Sequence, residues 1–332
     1  MSFTISNQVI AGTVVTFIAI HAIGPAAARD GLSLVLPIDC QIGVLCFVQN
    51  YFDHDRSVGV SDYRCGVRSY DGHTGTDIRL INREQQEAGV RVVAAASGTV
   101  VATRDGMNDV STGQNGRASV ANRECGNGVI LDHGGGWLTQ YCHLAKGSVA
   151  VTHGTRVVEG SLLGRVGLSG DTEFYHLHFG VKRDGRAIDP FAYSESEAGC
   201  GKGESLWAEA ARSILQYRPT EIVTSGFSST PPDEDTGSRP ITSESGNLLA
   251  FVRIIGLQSG DRQSLTILDP TGREFARHEP SSLDKNKAQY LILAGKKRSG
   301  AKWQPGSYTA KYELRRQDQI LLSREFALTV EP

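Results

Sequence analysis

Short runs of apolar and β-branched residues, closely spaced and separated by glycine, are the feature of this sequence that most constrains its fold. Such runs lie at 91–96, 98–103, 129–132, 162–166 and, after a polar interval, 248–255. Runs of this length, bounded by turn residues, are typical of β-strands. The 38 glycines among 332 residues exceed the usual share of about 7%, and glycine supplies the conformations that tight turns require. The pattern therefore predicts an all-β protein.

A single helix is predicted at 204–217, between two strand-rich regions. Leu206, Ala210 and Ile214 fall on one face at helical spacing, and Pro219 ends the segment. We expect this helix to connect the two regions.

The first 28 residues predict a secretory signal peptide that is cleaved near Ala28. They contain no Asp, Glu, Lys or Arg. Their apolar stretch is followed by three consecutive alanines, as at the cleavage site of a signal peptide. An N-terminal membrane anchor is the alternative, but glycine, histidine and proline interrupt the stretch, which favours cleavage. No later segment approaches 18 uncharged apolar residues, so no membrane span is expected after signal removal. We expect an exported protein, in the periplasm or outside the cell.

The composition indicates which classes of partner and which redox compartment to expect. The 34 basic and 36 acidic residues give a net charge of −2 at pH 7, so no general attraction to nucleic acid is expected. The six cysteines are even in number, which is typical of exported proteins whose cysteines are paired in disulfides.

These features predict five segments. The polar, turn-rich stretch 106–122 is expected to form a long surface loop, and the proline-containing stretch 230–237 a linker. From about 245, strands and turns alternate as in a small β-sandwich. The segments are a signal peptide (1–28), a cysteine-bearing N-terminal segment (29–70), a histidine-containing β domain (71–198), a helix and linker (199–244) and a β-sandwich-like accessory domain (245–332).

Two histidine motifs predict a metal site. His176 and His178 are alternate residues of a predicted strand, so both imidazoles project from one face. His73 and Asp77 also share a face if their segment is extended, and Gly75 between them leaves space for an ion. Two imidazoles and one carboxylate suit Zn²⁺ and leave a fourth position for water. A solvated sheet face and a capped turn are the alternatives for the two motifs.

A third motif at 131–144 predicts a β-hairpin, because three consecutive glycines lie at its centre. Strand alternation places Thr139, Tyr141 and His143 on one face of the second strand.

The cysteines around this hairpin predict one disulfide. Cys125 and Cys142 lie symmetrically about the turn, so a cross-strand bridge is expected on the face opposite His143. The other four cysteines allow three pairings, and one of these closes a small loop: Cys40, Cys46, Cys65 and Cys200.

Taken together, the motifs resemble a known family. GHTGTD at 72–77, LDHGGGWLTQYCHL at 131–144 and SGDTEFYHLHFGV at 169–181 have the order and spacing found in the lysostaphin-type peptidoglycan metallopeptidases. The resemblance covers about residues 71–195. It implies an antiparallel β-sheet catalytic domain with a groove, and zinc-dependent hydrolysis of amide bonds in peptidoglycan stem peptides or cross-bridges at the cell wall.

The resemblance also implies the site residues. His73, Asp77 and His178 match the zinc ligands of the family, with one Zn²⁺ per chain. His143 and His176 match its two further catalytic histidines. One of these would take a proton from the zinc-bound water, and the other would hydrogen-bond the developing oxyanion.

Three other functions share some of these residue patterns. A cupin also carries two alternate histidines on a strand, but it needs a glutamate ligand shortly afterwards, which this chain lacks. A cysteine hydrolase is disfavoured because Cys142 and His143 are adjacent on a strand and point to opposite faces. A non-catalytic wall-binding or partner-activating protein on the same fold would be recognised by missing ligands, and none is missing here.

Several secondary expectations concern the surroundings of the site. The segment from Leu36 to Tyr70 could lie over the groove and keep the enzyme latent, with Asn50 or Asp53 as a fourth ligand in that state. Tyr175 could narrow the groove or donate to the oxyanion. The accessory domain could bind a protein partner, and Trp303 and Tyr308 could stack on a sugar, although a core position is favoured for both.

Overall fold

The computed structural model describes Met1 and residues 31–193, 199–233 and 238–332. Almost all of the predicted signal peptide therefore lies outside the described residues. Within the described part, no helix has the length and apolar character needed to cross a membrane.

Antiparallel β-sheets dominate the described residues, which confirms the predicted fold class. The strands in the N-terminal two thirds are short, and those near the C-terminus are longer. Their bounds are β1 Cys46–Asn50, β2 Thr76–Leu80, β3 Arg91–Val93, β4 Gly98–Arg104, β5 Asn127–Gly134, β6 Trp137–Leu144, β7 Arg156–Val157, β8 Leu162–Arg165, β9 His176–Arg183, β10 Arg186–Ile188, β11 Glu221–Ser228, β12 Asn247–Leu257, β13 Arg262–Leu268, β14 Glu274–His278, β15 Lys287–Lys297, β16 Gly306–Arg316 and β17 Gln319–Val330.

Two groups of sheets organise these strands. The first group is an eight-stranded sheet in the order β1-β2-β9-β6-β5-β4-β7, with β10 paired to β9, and a small sheet of β3 and β8. The second group, which we call the C-terminal β region (Glu221–Val330), has a three-stranded sheet β11-β12-β15 and a four-stranded sheet β14-β13-β16-β17. The positions of the domain boundaries stay a prediction.

The helices differ from the prediction. Three short α-helices are described, α1 Arg83–Glu87, α2 Thr112–Asn115 and α3 Glu209–Ile214. The helix expected at 204–217 is therefore shorter, because its first residues pair with distant segments instead: Glu204 bridges Tyr193, and Trp207 bridges Leu34.

The stretch 106–122 is not a continuous loop either. It contains α2 and a 3-10 turn at Arg117–Val120. The side chain of Ser111 accepts a hydrogen bond from the backbone N–H of Gly113 and so caps α2. A four-residue helix is too short to produce a visible apolar periodicity, and so the sequence pattern did not predict it.

Separate hydrophobic clusters lie beneath the two groups of sheets. The first includes Leu177 and Phe179 from β9. The second includes Trp303 and Tyr308, so the favoured core position of these two aromatics is confirmed. Tyr175 is buried in the first cluster, and its suggested role at the groove stays a prediction.

A third cluster joins the eight-stranded sheet to the C-terminal β region. Phe47 of β1 packs with Val223 of β11 and Ile255 of β12, and all three are buried. Phe47 is the cross-strand partner of Arg79 on β2. Because directly paired residues project to the same side of a sheet, the C-terminal β region contacts the face that carries the side chain of Arg79.

All six cysteines are paired in disulfides. Cys125–Cys142 confirms the expected hairpin bridge. Of the open pairings, the structure has the small loop Cys40–Cys46, together with Cys65–Cys200.

Candidate metal centre

The register of β2 and β9 brings the two histidine motifs together. Asp77 is the direct cross-strand partner of His178, and Arg79 is the partner of His176. Paired residues share a face, so Asp77, His176 and His178 project to the same side of the sheet. His73 lies just before β2, in a turn closed by a hydrogen bond from its N–H to the carbonyl of Tyr70.

Three donor atoms converge there. The His73 Nε2 atom lies 3.1 Å from Asp77 Oδ1 and 3.2 Å from His178 Nδ1, and these last two atoms are 2.9 Å apart. Tetrahedral zinc, with bonds of about 2.0–2.2 Å, holds its donors roughly 3.3–3.5 Å apart. The donor set and its spacing therefore fit a zinc ion bound to Nε2, Nδ1 and a carboxylate oxygen.

Neighbouring groups orient two of these side chains. The Nδ1–H of His73 donates to the Tyr51 carbonyl at 2.7 Å, which directs the unprotonated Nε2 towards Asp77. The amide of Asn50 donates to the other oxygen of Asp77 at 2.9 Å. Such outer hydrogen bonds fix the orientation of metal ligands in proteins. Asn50 is thus a hydrogen-bond donor to Asp77, and not the fourth ligand that its sequence position suggests.

Asp53, the other fourth-ligand candidate, has a different position. Its carboxylate accepts hydrogen bonds from the backbone N–H groups of Asp55, Ser61 and Gly72. These bonds hold the loop that precedes His73. Asp53 therefore stabilises the backbone of this loop. Strand β1, which begins at Cys46, pairs with β2 as part of the eight-stranded sheet.

Gly75 has a role that the sequence analysis assigned incorrectly. A Cβ atom at this position would lie 2.5 Å from Cε1 and 2.6 Å from Nε2 of His178, and 2.8 Å from the carbonyl oxygen of Phe179. The space left by glycine is therefore occupied by the His178 ring and is not space for the ion itself.

His143 and His176 lie beside the three donors. Their ring centres are 4.6 Å apart, and that of His143 is 6.0 Å from that of His178. The Nδ1–H of His143 donates to the Ser169 carbonyl at 2.8 Å. The Nδ1–H of His176 donates to the Phe174 carbonyl at 2.9 Å. On both rings Nδ1 is thus engaged by a carbonyl oxygen, and Nε2 is the nitrogen available to exchange a proton; that of His176 lies 3.5 Å from Asp77 Oδ1.

Strand alternation predicts the wrong face for His143. Its backbone has a φ of 63°, and this left-handed conformation interrupts the alternation. Tyr141 packs in the core against Phe179, whereas His143 lies with the other histidines. Cys142 is paired with His178 across the sheet, so the Cys125–Cys142 bridge lies on the histidine face and not opposite to it.

Burial and charge set the protonation of this cluster. Burial raises the pKa of Asp77, but the charges that His73 and His176 can carry outweigh it, so the pKa lies well below its usual value. The pKa of His143 lies well below its usual value, because burial disfavours the charged imidazole and the neighbouring imidazoles of His176 and His178 add to this effect. The carboxylate is therefore ionised and His143 neutral at pH 7.

Two neighbours of the site escaped the sequence analysis. The ring of Tyr70 stacks on His73, with ring centres 4.4 Å apart. Arg79 is completely buried beside His176. Tyr70 could have been suspected from its position three residues before His73, whereas an arginine two residues beyond Asp77 carries no motif that marks it.

One family model and several solved structures are similar to part of this chain. Residues 71–190 match Peptidase family M23. Csd3 from Helicobacter pylori, in its hexagonal crystal, is 21% identical over 50% of this chain and 34% of its own, with a TM-score of 0.32. A zinc-containing peptidase from Vibrio cholerae is 21% identical over 45% of this chain and 40% of its own (TM-score 0.29). The chain thus spans less than half the length of these two proteins.

A third solved structure is covered more completely. The catalytic domain of the antimicrobial peptidase lysostaphin from Staphylococcus simulans is 21% identical over 43% of this chain and 86% of its own, with a TM-score of 0.29. The family match confirms the resemblance that the three motifs indicate. Residues 71–190 of this chain form a Peptidase family M23 domain.

Proposed function

We propose that this protein is a zinc-dependent endopeptidase that hydrolyses amide bonds in the stem peptides or cross-bridges of peptidoglycan. The observation that carries the proposal is the convergence of His73, Asp77 and His178, which are far apart in the sequence, with two further imidazoles beside them. The Peptidase family M23 match over residues 71–190 supports it.

The three converging side chains would hold one zinc ion. His73 would bind through Nε2, His178 through Nδ1 and Asp77 through Oδ1, since these are the atoms that face one another. When bound, zinc lowers the pKa of a coordinated water to about 7 and polarises the scissile carbonyl. Asn50 and the Tyr51 carbonyl keep two of the ligands in orientation through their hydrogen bonds.

His143 and His176 would act on protons. Each has its Nδ1 engaged with a carbonyl oxygen, so its Nε2 can accept a proton. One Nε2 would take the proton of the nucleophilic water. The other imidazole, protonated at Nε2 from solvent before the attack, would donate a hydrogen bond to the developing oxyanion. Such positioned proton transfer contributes about 10²- to 10⁴-fold to a rate.

The three disulfides support a location in the periplasm or outside the cell, at the cell wall. Disulfides persist in oxidising compartments and are rare in the reducing cytosol. The C-terminal β region is the part that we propose for contact with a protein partner, because it extends beyond the family-matched residues.

Metal analysis and wall digestion test the proposal together. Purified protein is expected to hold one zinc ion per chain and to release soluble fragments from sacculi, with the cleaved amide identified by mass spectrometry. Sacculi of several wall chemistries are needed, because the peptide bond differs between them. His178→Ala should lose both zinc and activity. His143→Ala should keep zinc and lose at least about 100-fold of the activity.

His153→Ala is the matched control, because His153 lies exposed in a turn away from the cluster. It should behave as the wild type in both measurements. A protein that binds no zinc and releases no fragment from any sacculus would refute the proposal. A zinc-free protein that still binds sacculi would favour the non-catalytic wall-binding function.

A further inference from the structure

Arg79 is a buried cation on the same face of the sheet as the candidate metal centre. It follows Asp77 by two residues on β2, is paired with His176 on β9, and has no exposed surface. Enclosing a guanidinium is unfavourable unless hydrogen bonds and ring contacts replace its water. The groups that surround it therefore indicate what it does.

One end of the guanidinium is held by two glutamines from distant strands. Its Nη1 donates to Oε1 of Gln49 at 2.5 Å and also to Oε1 of Gln289. Its Nε donates to the Leu80 carbonyl at 3.1 Å. Gln49 belongs to β1, whereas Gln289 belongs to β15 of the C-terminal β region. The C-terminal β region thus contributes a side chain to the surroundings of the site.

The guanidinium also contacts the residue that supports His176. Its central carbon lies 5.0 Å from the centre of the Phe174 ring, within the range of a cation–π contact. Phe174 holds His176 at two points. The two rings stack with centres 4.4 Å apart and planes 24° apart, and the Phe174 carbonyl accepts the Nδ1–H of His176.

We propose that Arg79 is a positioning residue for His176, and that Gln289 makes the C-terminal β region part of this arrangement. The path runs from the Gln289 amide to the guanidinium, then to the Phe174 ring, and then to the imidazole. The buried packing of Phe47 against Val223 and Ile255 holds the two parts together beside it. An effect of Arg79 on catalysis rests on the proposed function, whereas its effect on the position of the His176 imidazole does not.

Gln289→Met tests the path from its far end. Methionine has nearly the same size and lacks the acceptor oxygen, so the guanidinium loses one anchor while Arg79, Phe174 and His176 stay intact. Gln289→Glu keeps an acceptor oxygen and should preserve the path. Gln319→Met is the matched control, since Gln319 is exposed on β17.

The main readout is the imidazole ¹H–¹³C NMR signal of His176 in the full zinc-loaded protein, assigned by its loss in His176→Gln. The signal should shift in Gln289→Met and stay in place in Gln289→Glu and Gln319→Met, with all three proteins folded by circular dichroism. In the hydrolysis assay, kcat of Gln289→Met should fall about 10-fold with KM within twofold of the wild type. If Gln289→Met does not fold, Arg79→Lys takes its place. Lysine keeps the charge but lacks the planar guanidinium with its several N–H donors, so this variant should give the same shift.

Two results would overturn the proposal. The first is an unshifted His176 signal in folded Gln289→Met or Arg79→Lys protein, whatever the value of kcat, because a loss of rate would then arise elsewhere. The second is an equal shift in Gln289→Glu, because the acceptor oxygen would then not matter. If the wild type hydrolyses no peptide, the proposed function fails, while the NMR comparison still decides whether Arg79 positions His176.

Discussion

Replacing Gly75 by alanine should remove the metal site while leaving most of the fold intact. The added methyl group would lie 2.5 Å from His178 Cε1, whereas carbon atoms pack best at about 3.5–4.0 Å. The ring must therefore move by roughly 1 Å. The Phe179 carbonyl oxygen, 2.8 Å from the methyl position, is backbone and has little freedom to yield.

The consequence for zinc binding follows from the tolerance of metal sites. Ligand distances vary by only about 0.2 Å around their ideal values, so a displacement of about 1 Å removes His178 from the coordination sphere. Loss of an outer hydrogen-bond partner already weakens metal binding by about 10–100-fold, so loss of a ligand should weaken it by at least about 100-fold. The crowding itself should cost about 1–3 kcal/mol of unfolding free energy.

Competition with a chromophoric chelator measures the zinc affinity, and urea unfolding of the metal-free proteins measures the stability. Gly180→Ala is the matched control on the same strand as His178. Its methyl group would lie 3.7 Å from the Gln140 Cβ and 3.9 Å from His178 Nε2, which are ordinary contacts. It should bind zinc as the wild type does. Wild-type zinc affinity in folded Gly75→Ala protein would refute the reasoning.

Two further substitutions probe the surroundings of the site and the stability of the hairpin. Asn50→Leu removes the hydrogen bond to Asp77 and should weaken zinc binding by about 10–100-fold in the same chelator competition; an unchanged affinity would show that this bond does not orient the ligand. Burial lowers the pKa of His133 below the usual histidine value of about 6.5, so the unfolded chain binds more protons in acid. The unfolding free energy should therefore fall as the pH drops through and below that value. Urea unfolding at several pH values should show a smaller fall in His133→Gln, and an identical slope in the two proteins would contradict this origin.

The metal motifs could be predicted from the sequence because their geometry is mostly local. His176 and His178 share a face through simple strand alternation, and this holds in β9. The same rule fails for His143, because one residue with a positive φ reverses the side of the chain on which its imidazole lies. Alternation contains no information about such a residue, and only the family resemblance placed His143 at the site.

The contacts that the sequence analysis missed depend on packing between distant segments. Arg79 and Gln289 are 210 residues apart, and nothing in either local sequence marks the other. The helix at 204–217 was predicted too long for a related reason. Its apolar spacing is real, but non-local backbone pairing at Glu204 and Trp207 prevails over helix formation there.

The nesting of two disulfides bears on how the chain reaches its oxidised form. Cys125 and Cys142 lie between Cys65 and Cys200, so the longer bridge joins cysteines that are not neighbours in the sequence. During synthesis from the N-terminus, and with Cys40 and Cys46 already paired, Cys65 meets two other thiols before Cys200 is made. Pairing in order of appearance would join Cys65 to Cys125, and reaching the native pattern from there requires thiol–disulfide exchange. Efficient maturation of this protein therefore depends either on early closure of the hairpin bridge or on a catalyst that reshuffles disulfides.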